Sequence, residues 1–467
     1  MRRPWPRLAR WLFVTGVFAA LLCALHLSLS VLCRIEAPKV APNELEPVRP
    51  SPGLRTLGSS FVLERNGLFE AHLSGSPEQI GWAHARLFYP EMVENEGVLL
   101  SNFSKAVPSW PLRALLLDLA QVRYRHVADR MSPERRAEMA AGALGFQPDP
   151  YRELFPTFQR FAYLNALYDI ALSFEHSPLI GCTTFVFSGS ASATSGTLLA
   201  RNFDFEVDPI FDRKKAVFFV RETGKIPFAS VAWPGLVGVV SGMNAEGVAV
   251  VVHGGRAGEP RAEGEPVVHA LRAVLSLART TEEALTVLAA RPALVSHIVV
   301  LADASGRAVK VERTPGQADH VLPLADADAV TNHFGGPAAS DPKNLTVLAH
   351  TSTRARKARA DELVAQVARP VTAEGAVSLL RDRKGSGGRA LPLGDRDAID
   401  ALIATHGVVM STRERWLWVS VAPHLLGRFV AFDLGRMLAE NYRPEPELEL
   451  RSIAPDPLAS TWRKQSL

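Results

Sequence analysis

Cysteine is scarce: Cys23, Cys33 and Cys182 are the only three in 467 residues. The first two lie in one apolar run near the N-terminus, so the body of the chain holds a single sulfhydryl and cannot close an internal disulfide. A disulfide-stapled scaffold is thereby excluded. An excess of one charge is missing too. The chain carries a formal +4, but Arg2, Arg3, Arg7, Arg10 and Arg34 occur with no acid in residues 1–34, which leaves −1 on the rest. Nucleic-acid binding therefore has no electrostatic support. Internal repeats are absent. With 47% hydrophobic and 21% charged residues the chain is neither disordered nor collagen-like, and it is long enough for one large globular domain or two ordinary ones.

Only one long uncharged run occurs. Residues 11–33, WLFVTGVFAALLCALHLSLSVLC, follow four arginines, and the hydrocarbon core of a bilayer needs about 20 apolar residues. The run predicts a single membrane-spanning anchor, with the arginines cytoplasmic and the body on the extracytoplasmic, periplasmic or outer, face. A cleaved signal peptide with a secreted body is the alternative. Residues 1–34 are thus a basic tip and anchor helix, and the proline-rich residues 35–58 read as an extended spacer that holds the body off the bilayer.

Within the body, residues 59–181 are mostly helical in pattern. Ser76-Pro77-Glu78 is a helix start, a capping residue followed by proline in the first turn. From Cys182 to about Val252 the texture changes to short β-branched and aromatic runs between Gly and Ser turns, which predicts consecutive antiparallel strands. Helical periodicity returns at 266–292, followed by more strands, basic and apolar helices near 353–368 and 371–382, and a last hairpin around WLWVSVA and GRFVAFDL. Such an order fits an α+β domain of two packed sheets with helices outside, its second part ending near residue 444 before a tail, 445–467. RKGSGGR at 383–389 lacks the preceding strand and the Lys-Ser/Thr ending of a phosphate loop and reads as a solvent loop.

Cys182 sits at the junction of the two textures, directly after Gly181, in PLIGCTTFVF. A lone cysteine is a buried space-filler or a reactive thiol. The position suits the second role: cutting the bond before Cys182 would place the thiol beside its own α-amine, a base with an unperturbed pKa of roughly 7.7–8.0. Gly181 would tolerate a strained backbone and leave its carbonyl open to attack. Nineteen residues on, Arg201 and Asp204 lie in ARNFDF. Strict strand alternation separates these two side chains, so a bend after Arg201 is needed to bring both to the thiol. Thr183 and Thr184 are rival nucleophiles that need cleavage elsewhere. His333 invites a Cys-His pair but a terminal cysteine brings its own base, leaving packing or support. Asp326 and Asp328 lack the His or Glu companions of a metal pair. No cofactor and no metal are expected.

Taken together, GCTTF, LLARNFDF, GLVGVVSGMNAEGVAV, AVTNHF and STRARKARADEL resemble the isopenicillin N (acyl-CoA:6-aminopenicillanic acid) acyltransferase family. They are more distantly similar to penicillin V acylases and bile salt hydrolases. The five motifs occur in order over nearly the whole body, from GSPEQIGWAHARLF near residue 75 to the strands near residue 434. The resemblance implies a four-layer αββα N-terminal-nucleophile hydrolase sandwich, with 59–181 a pro-segment (α chain) and 182–444 the catalytic sandwich (β chain), the two associated after self-cleavage between Gly181 and Cys182. It implies Cys182 as nucleophile, Arg201 as the cation beside the thiol, and Asp204 as partner of the new α-ammonium. Asn244 would help bind the oxyanion or amine, and Asn332 would be the principal oxyanion-hole side chain. Arg354, or Arg356 two residues on, would be the later arginine. The expected activity is autoproteolytically activated cysteine amide hydrolysis of an N-acylated small molecule through a thioester. Acyl transfer to an amine or lipid acceptor is the alternative, and a catalytically silent, membrane-tethered binding protein is a third reading.

Overall fold

The computed structural model describes residues 7–173 and 180–465; Arg2 and Arg3 of the basic tip and residues 174–179 lie outside the described residues. The apolar run forms α1 (Arg7–Leu32), of which Ala9–Leu32, with mean hydropathy 2.2, is long and apolar enough to cross a membrane. Four strands follow: β1 (Val48–Ser51), β2 (Leu54–Leu57), β3 (Ser60–Arg65) and β4 (Leu68–Gly75). Six helices come next: α2 (Pro77–Leu87), α3 (Tyr89–Ala106), α4 (Trp110–Tyr124), α5 (Pro133–Gly145), α6 (Thr157–Leu164) and α7 (Leu167–Leu172). Beyond the junction lie β5 (Ile180–Phe187), β6 (Leu198–Phe205), the single turn α8 (Ile210–Arg213), β7 (Ala216–Glu222), β8 (Phe228–Ala232), β9 (Ser241–Asn244) and β10 (Ala249–Gly254). Helices α9 (Val267–Leu277) and α10 (Thr281–Ala289) precede β11 (His297–Ala302), β12 (Ala308–Arg313), β13 (His320–Pro323) and β14 (Ala327–Val330). Then come α11 (Pro342–His350), α12 (Thr353–Gln366), α13 (Ala373–Leu380), β15 (Ala404–Ser411), β16 (Trp416–Ser420), β17 (Phe429–Asp433), α14 (Leu434–Met437), β18 (Ser452–Ile453) and α15 (Ala459–Gln465).

The strands form two sheets. One runs β1-β2-β3-β4-β7-β8-β9-β10-β11-β12-β13 and the other β14-β5-β6-β15-β16-β17-β18. Strand alternation assigns the faces. Val250 and Val252 of β10 pack in the cluster that holds α2, α5, α6 and α9. Their neighbours Ala249 and Val251 pack against Leu199, Val186 and Val408 of the other sheet. On that second sheet Phe185, Phe187, Leu198 and Ala200 turn outward under α12 and α13. Helix, sheet, sheet, helix is thus the layer order, the α+β αββα sandwich that was expected. A strand buried on both faces shows no polar alternation, which explains the continuous apolar texture of AVVV and HIVVLA.

Three local expectations change. Residues 59–75 are the hairpin β3–β4 instead of helix. Its turn is Asn66-Gly67 with φ of 55° and 80°, the left-handed pair that a two-residue hairpin turn requires. Residues 182–252 do not make one run of neighbouring strands: β5 and β6 join the second sheet, and β7–β10 the first, where β7 pairs in parallel with β4 over Phe69↔Ala216 to Gly75↔Glu222. The proline-rich stretch lies on the body instead of standing away from it. Ile35 is buried, the Trp82 Nε1 donates to Leu45 O at 2.9 Å, and β1 and β2 edge the first sheet.

Candidate active site

The site forms where β5 and β6 run side by side. Cys182 stands opposite Phe203, and Gly181 opposite Asp204. Directly opposed residues in an antiparallel pair share a face. Cys182, Arg201 and Phe203 therefore point between the two sheets, while Gly181, Asn202 and Asp204 point outward beneath α12. Arg201 and Asp204 serve opposite sides of one strand, and no bend is needed.

On the inner side, Arg201 Nη2 donates to Cys182 Sγ at 3.2 Å and to Val252 O at 2.7 Å. Its Nη1 donates to Val240 O at 3.2 Å and to Ser241 Oγ, and the guanidinium lies 4.3 Å over the Phe203 ring. Ser241 Oγ is in turn 2.9 Å from His406 Nε2, whose ring stacks on Phe203. Arg201 is fully buried, and its guanidinium is met by the thiol, by carbonyl and hydroxyl dipoles and by the Phe203 ring. Burial pushes the Cys182 thiol up, and Arg201 opposes that by favouring the thiolate. Burial, followed by the Arg201 charge, holds His253 and His406 well below the ordinary histidine range, so both stay neutral. His253 Nε2 meets Thr184 Oγ1 at 2.7 Å.

The outer side belongs to Arg356 and Asn332. Arg356 Nη1 donates to Cys182 O at 2.5 Å and to Thr183 Oγ1 at 2.9 Å, and its Nη2 donates to Asn332 Oδ1 at 2.8 Å. The same Asn332 Oδ1 accepts from Cys182 N at 2.8 Å, and Asn332 Nδ2 donates to Gly254 O at 3.0 Å. Two donors on the oxygen fix the orientation of the amide. Asp204 is buried with Oδ2 3.4 Å from Asn202 Nδ2, and Oδ1 has no partner among the described residues. Burial pushes its carboxyl up to about 7, with Arg356 pulling the other way and Asp400 adding to the rise. Gly181 is regular strand with no left-handed φ. Its lack of a side chain is explained by space, because a Cβ there would come within 3.3 Å of Asp204 Cβ.

Of the residues expected at the site, Cys182, Arg201, Asp204 and Asn332 come together around the Gly181–Cys182 bond. Arg354 is exposed on α12, and Arg356, two residues later on the buried face, reaches the site. Asn244 is employed elsewhere: its Oδ1 accepts from Glu246 N and Val248 N, and its Nδ2 donates to Leu275 O and Ala278 O. It ties the β9–β10 turn to the end of α9. His333 turns Nδ1 to Thr331 and Thr353 hydroxyls, each at 3.1 Å. Sequence reasoning missed Ser241, His253 and His406. A histidine in an otherwise apolar strand run, as in VVVHGG and ATHGVV, was the available signal. Among the described residues no group of three His, Cys, Asp or Glu side chains is placed to hold a metal ion.

An apolar pocket opens next to Phe203, the residue opposite Cys182 in the β5–β6 pair. Phe203 and Val240, both in contact with Arg201, line it, as do Met92, Leu99, Leu164 and Tyr168 from α3, α6 and α7 and Trp233 and Leu236 from the loop after β8. Walls thus come from both sides of the Gly181–Cys182 junction. The Tyr168 hydroxyl is buried without a partner among the described residues, and burial pushes its pKa up.

The site and the layers define a sandwich built around a strand-borne thiol, and sequence comparison bears out the resemblance. The sequence model of the family described as acyl-coenzyme A:6-aminopenicillanic acid acyl-transferase matches residues 192–391. That segment contains Arg201, Asp204, Asn332 and Arg356 and begins after Cys182. No curated protein sequence matches the chain. Among solved structures, penicillin V acylase from Agrobacterium tumefaciens is 20% identical, with 59% of this chain and 98% of that one covered and a TM-score of 0.38. An N-acylethanolamine-hydrolyzing acid amidase ortholog from Caenorhabditis elegans is 15% identical, with 52% and 100% covered and a TM-score of 0.36. Conjugated bile acid hydrolase from Clostridium perfringens, as a variant, is 11% identical, with 58% and 96% covered and a TM-score of 0.36. At these scores the layer order rests on the two sheets themselves.

Proposed function

We propose that this chain is a cysteine amidohydrolase that generates its own N-terminal nucleophile, is held at a membrane by α1, and cleaves the amide of an N-acylated small molecule with an apolar acyl group. One observation carries the reading. Every reactive part of Cys182 has its own partner: Arg201 on the sulfur, Asn332 on the amide nitrogen and Arg356 on the carbonyl, in an unbroken strand whose preceding residue is glycine.

In the intact chain the thiol adds to the Gly181 carbonyl, and the peptide C–N bond breaks as the Cys182 nitrogen takes a proton to become an amine. The resulting thioester is opened by water, which returns the thiol and leaves Gly181 as a carboxylate. Asn332 Oδ1 already accepts from that nitrogen, and the open oxygen of Asp204, in register with Gly181, supplies the counter-charge to the new ammonium. The β4–β7 ladder then holds the two chains in one sheet.

In the processed enzyme the α-amine takes the thiol proton as sulfur attacks the substrate carbonyl. Asn332 has two N–H groups, of which Gly254 O occupies one; the other is the donor for the tetrahedral oxyanion. The ammonium protonates the departing amine, the acyl group stays on sulfur as a thioester, and water releases it. The apolar pocket takes the acyl group.

Denaturing mass spectrometry of purified protein tests the processing: wild type should break at Gly181–Cys182, and Cys182→Ala should not. A single uncut species from wild type refutes it. Acyl transfer is the second reading, favoured by the description of the matching family. Product ratios from an acyl amide assayed with and without an added amine acceptor separate the two.

A further inference from the structure

Exposed large apolar side chains concentrate in two helices among the described residues, α1 and α4. On α4, Leu112, Leu115, Leu119 and Val122 recur at spacings of three and four, with Trp110 and Leu116 beside them, at exposures from 37% to 72%. Residues so spaced share one face. A helix on a water-soluble body turns such a stripe inward. In α4 the arrangement is reversed, and the buried residues are Gln121 and Tyr124.

We infer that α4 lies in the interface of a phospholipid bilayer with this stripe among the acyl chains. Its position relative to α1 argues for lipid as the occupant. Asp118 of α4 is 2.8 Å from His26 Nδ1 of α1, which brings the two helices into contact at that level. His26 is six residues before Leu32, the end of the span, or about 9 Å along the axis. Interfacial helices lie about 5–10 Å below the surface. The exit from α1 is also clamped: Gln159 of α6 accepts from Ile35 N at 3.2 Å and donates to Cys33 O at 3.3 Å. These bonds tie the body to the end of α1 and place α4 at the level where α1 would emerge. Arg123 is exposed beside the stripe, with a stem long enough to bring its charge to a lipid phosphate, while Arg113 and Arg125 are bonded to backbone carbonyls at the two ends of the helix. The depth rests on the anchor reading of α1; the outward stripe does not. Met92 and Leu99 of α3, the helix before α4, line the apolar pocket.

The test uses the full-length chain in vesicles of phosphatidylethanolamine and phosphatidylglycerol doped with a photoactivatable diazirine phospholipid. After irradiation, adducts are mapped by mass spectrometry. Adducts on residues 110–124 are expected, reduced severalfold by Leu115→Ser with Leu119→Ser while α1 adducts stay unchanged. Adducts on α4 without any on α1 support the inference and remove the anchor reading. Adducts confined to α1, or α4 cross-linked to a second copy in place of lipid, overturn it.

Discussion

Asp204 gives the sharpest test of the site, because its burial is a cost in the uncut chain that cleavage would relieve. Its carboxyl is raised from the ordinary 3.8 to about 7, by burial first, with Arg356 opposing. A folded-state pKa above the unfolded one favours folding fully only below pH 3.8. As pH rises from there the unfolded chain ionises while the folded chain keeps its proton, so stability falls until about pH 7 and is level beyond. At 1.36 kcal/mol per pH unit the ceiling of this penalty is about 4 kcal/mol. Asp204→Asn, made in the uncleavable Cys182→Ala chain, removes it. The pair should differ little at pH 4, and at pH 8 the Asn chain should be the more stable by a few kcal/mol relative to that baseline. Denaturant midpoints in detergent at the two pH values give the difference, and any fixed cost of the amide cancels. A carboxylate ionised and paired with Arg356 in the uncut chain would instead make Asp204→Asn the less stable at pH 8. That result would refute the reasoning.

Arg354→Ala should leave processing as in wild type. Arg356→Ala, which strips the donors from Cys182 O, Thr183 and Asn332, should slow it at least tenfold, read as the ratio of cut to uncut chain over time. Asn332→Ala should cost about 3–4 kcal/mol of transition-state stabilisation, roughly 10²–10³ in kcat, measured on enzyme that has been processed. Arg201→Met removes the cation beside sulfur, so thiol alkylation of the processed enzyme should move to higher pH; an unmoved profile would show that Arg201 does not tune the thiol. Leu164→Trp should fill part of the apolar pocket and lower kcat/KM for long-chain acyl amides far more than for short ones.

Much of the candidate site was legible in residue order. A glycine before the only sulfhydryl of the body, at the change from helical to strand texture, singled out Cys182. The later motifs brought Arg201, Asp204 and Asn332 with it. The hairpin at 59–75 was legible too, through Asn66-Gly67, although the surrounding helical pattern hid it. Other assignments depended on facts that no local pattern holds. Arg354 and Arg356 differ only in helical phase, and the buried face of α12 is the one that meets β5. Asn244 carries a suitable side chain, but the end of α9 and the β9–β10 turn use all of its hydrogen-bonding capacity.

Residue order by itself determined which atoms could react: one thiol, its glycine neighbour and a few charged or amide side chains in apolar strands. Only the tertiary structure decided how they are shared out. Alternation puts Arg201 and Asp204 on opposite faces of β6, and that separation is useful only because both faces are covered, one by the first sheet and the other by α12. The cation thus meets the sulfur while the carboxyl lies beside the Gly181–Cys182 bond. Burial on each side comes from packing partners distant in the chain, which is why strand periodicity alone could not predict it.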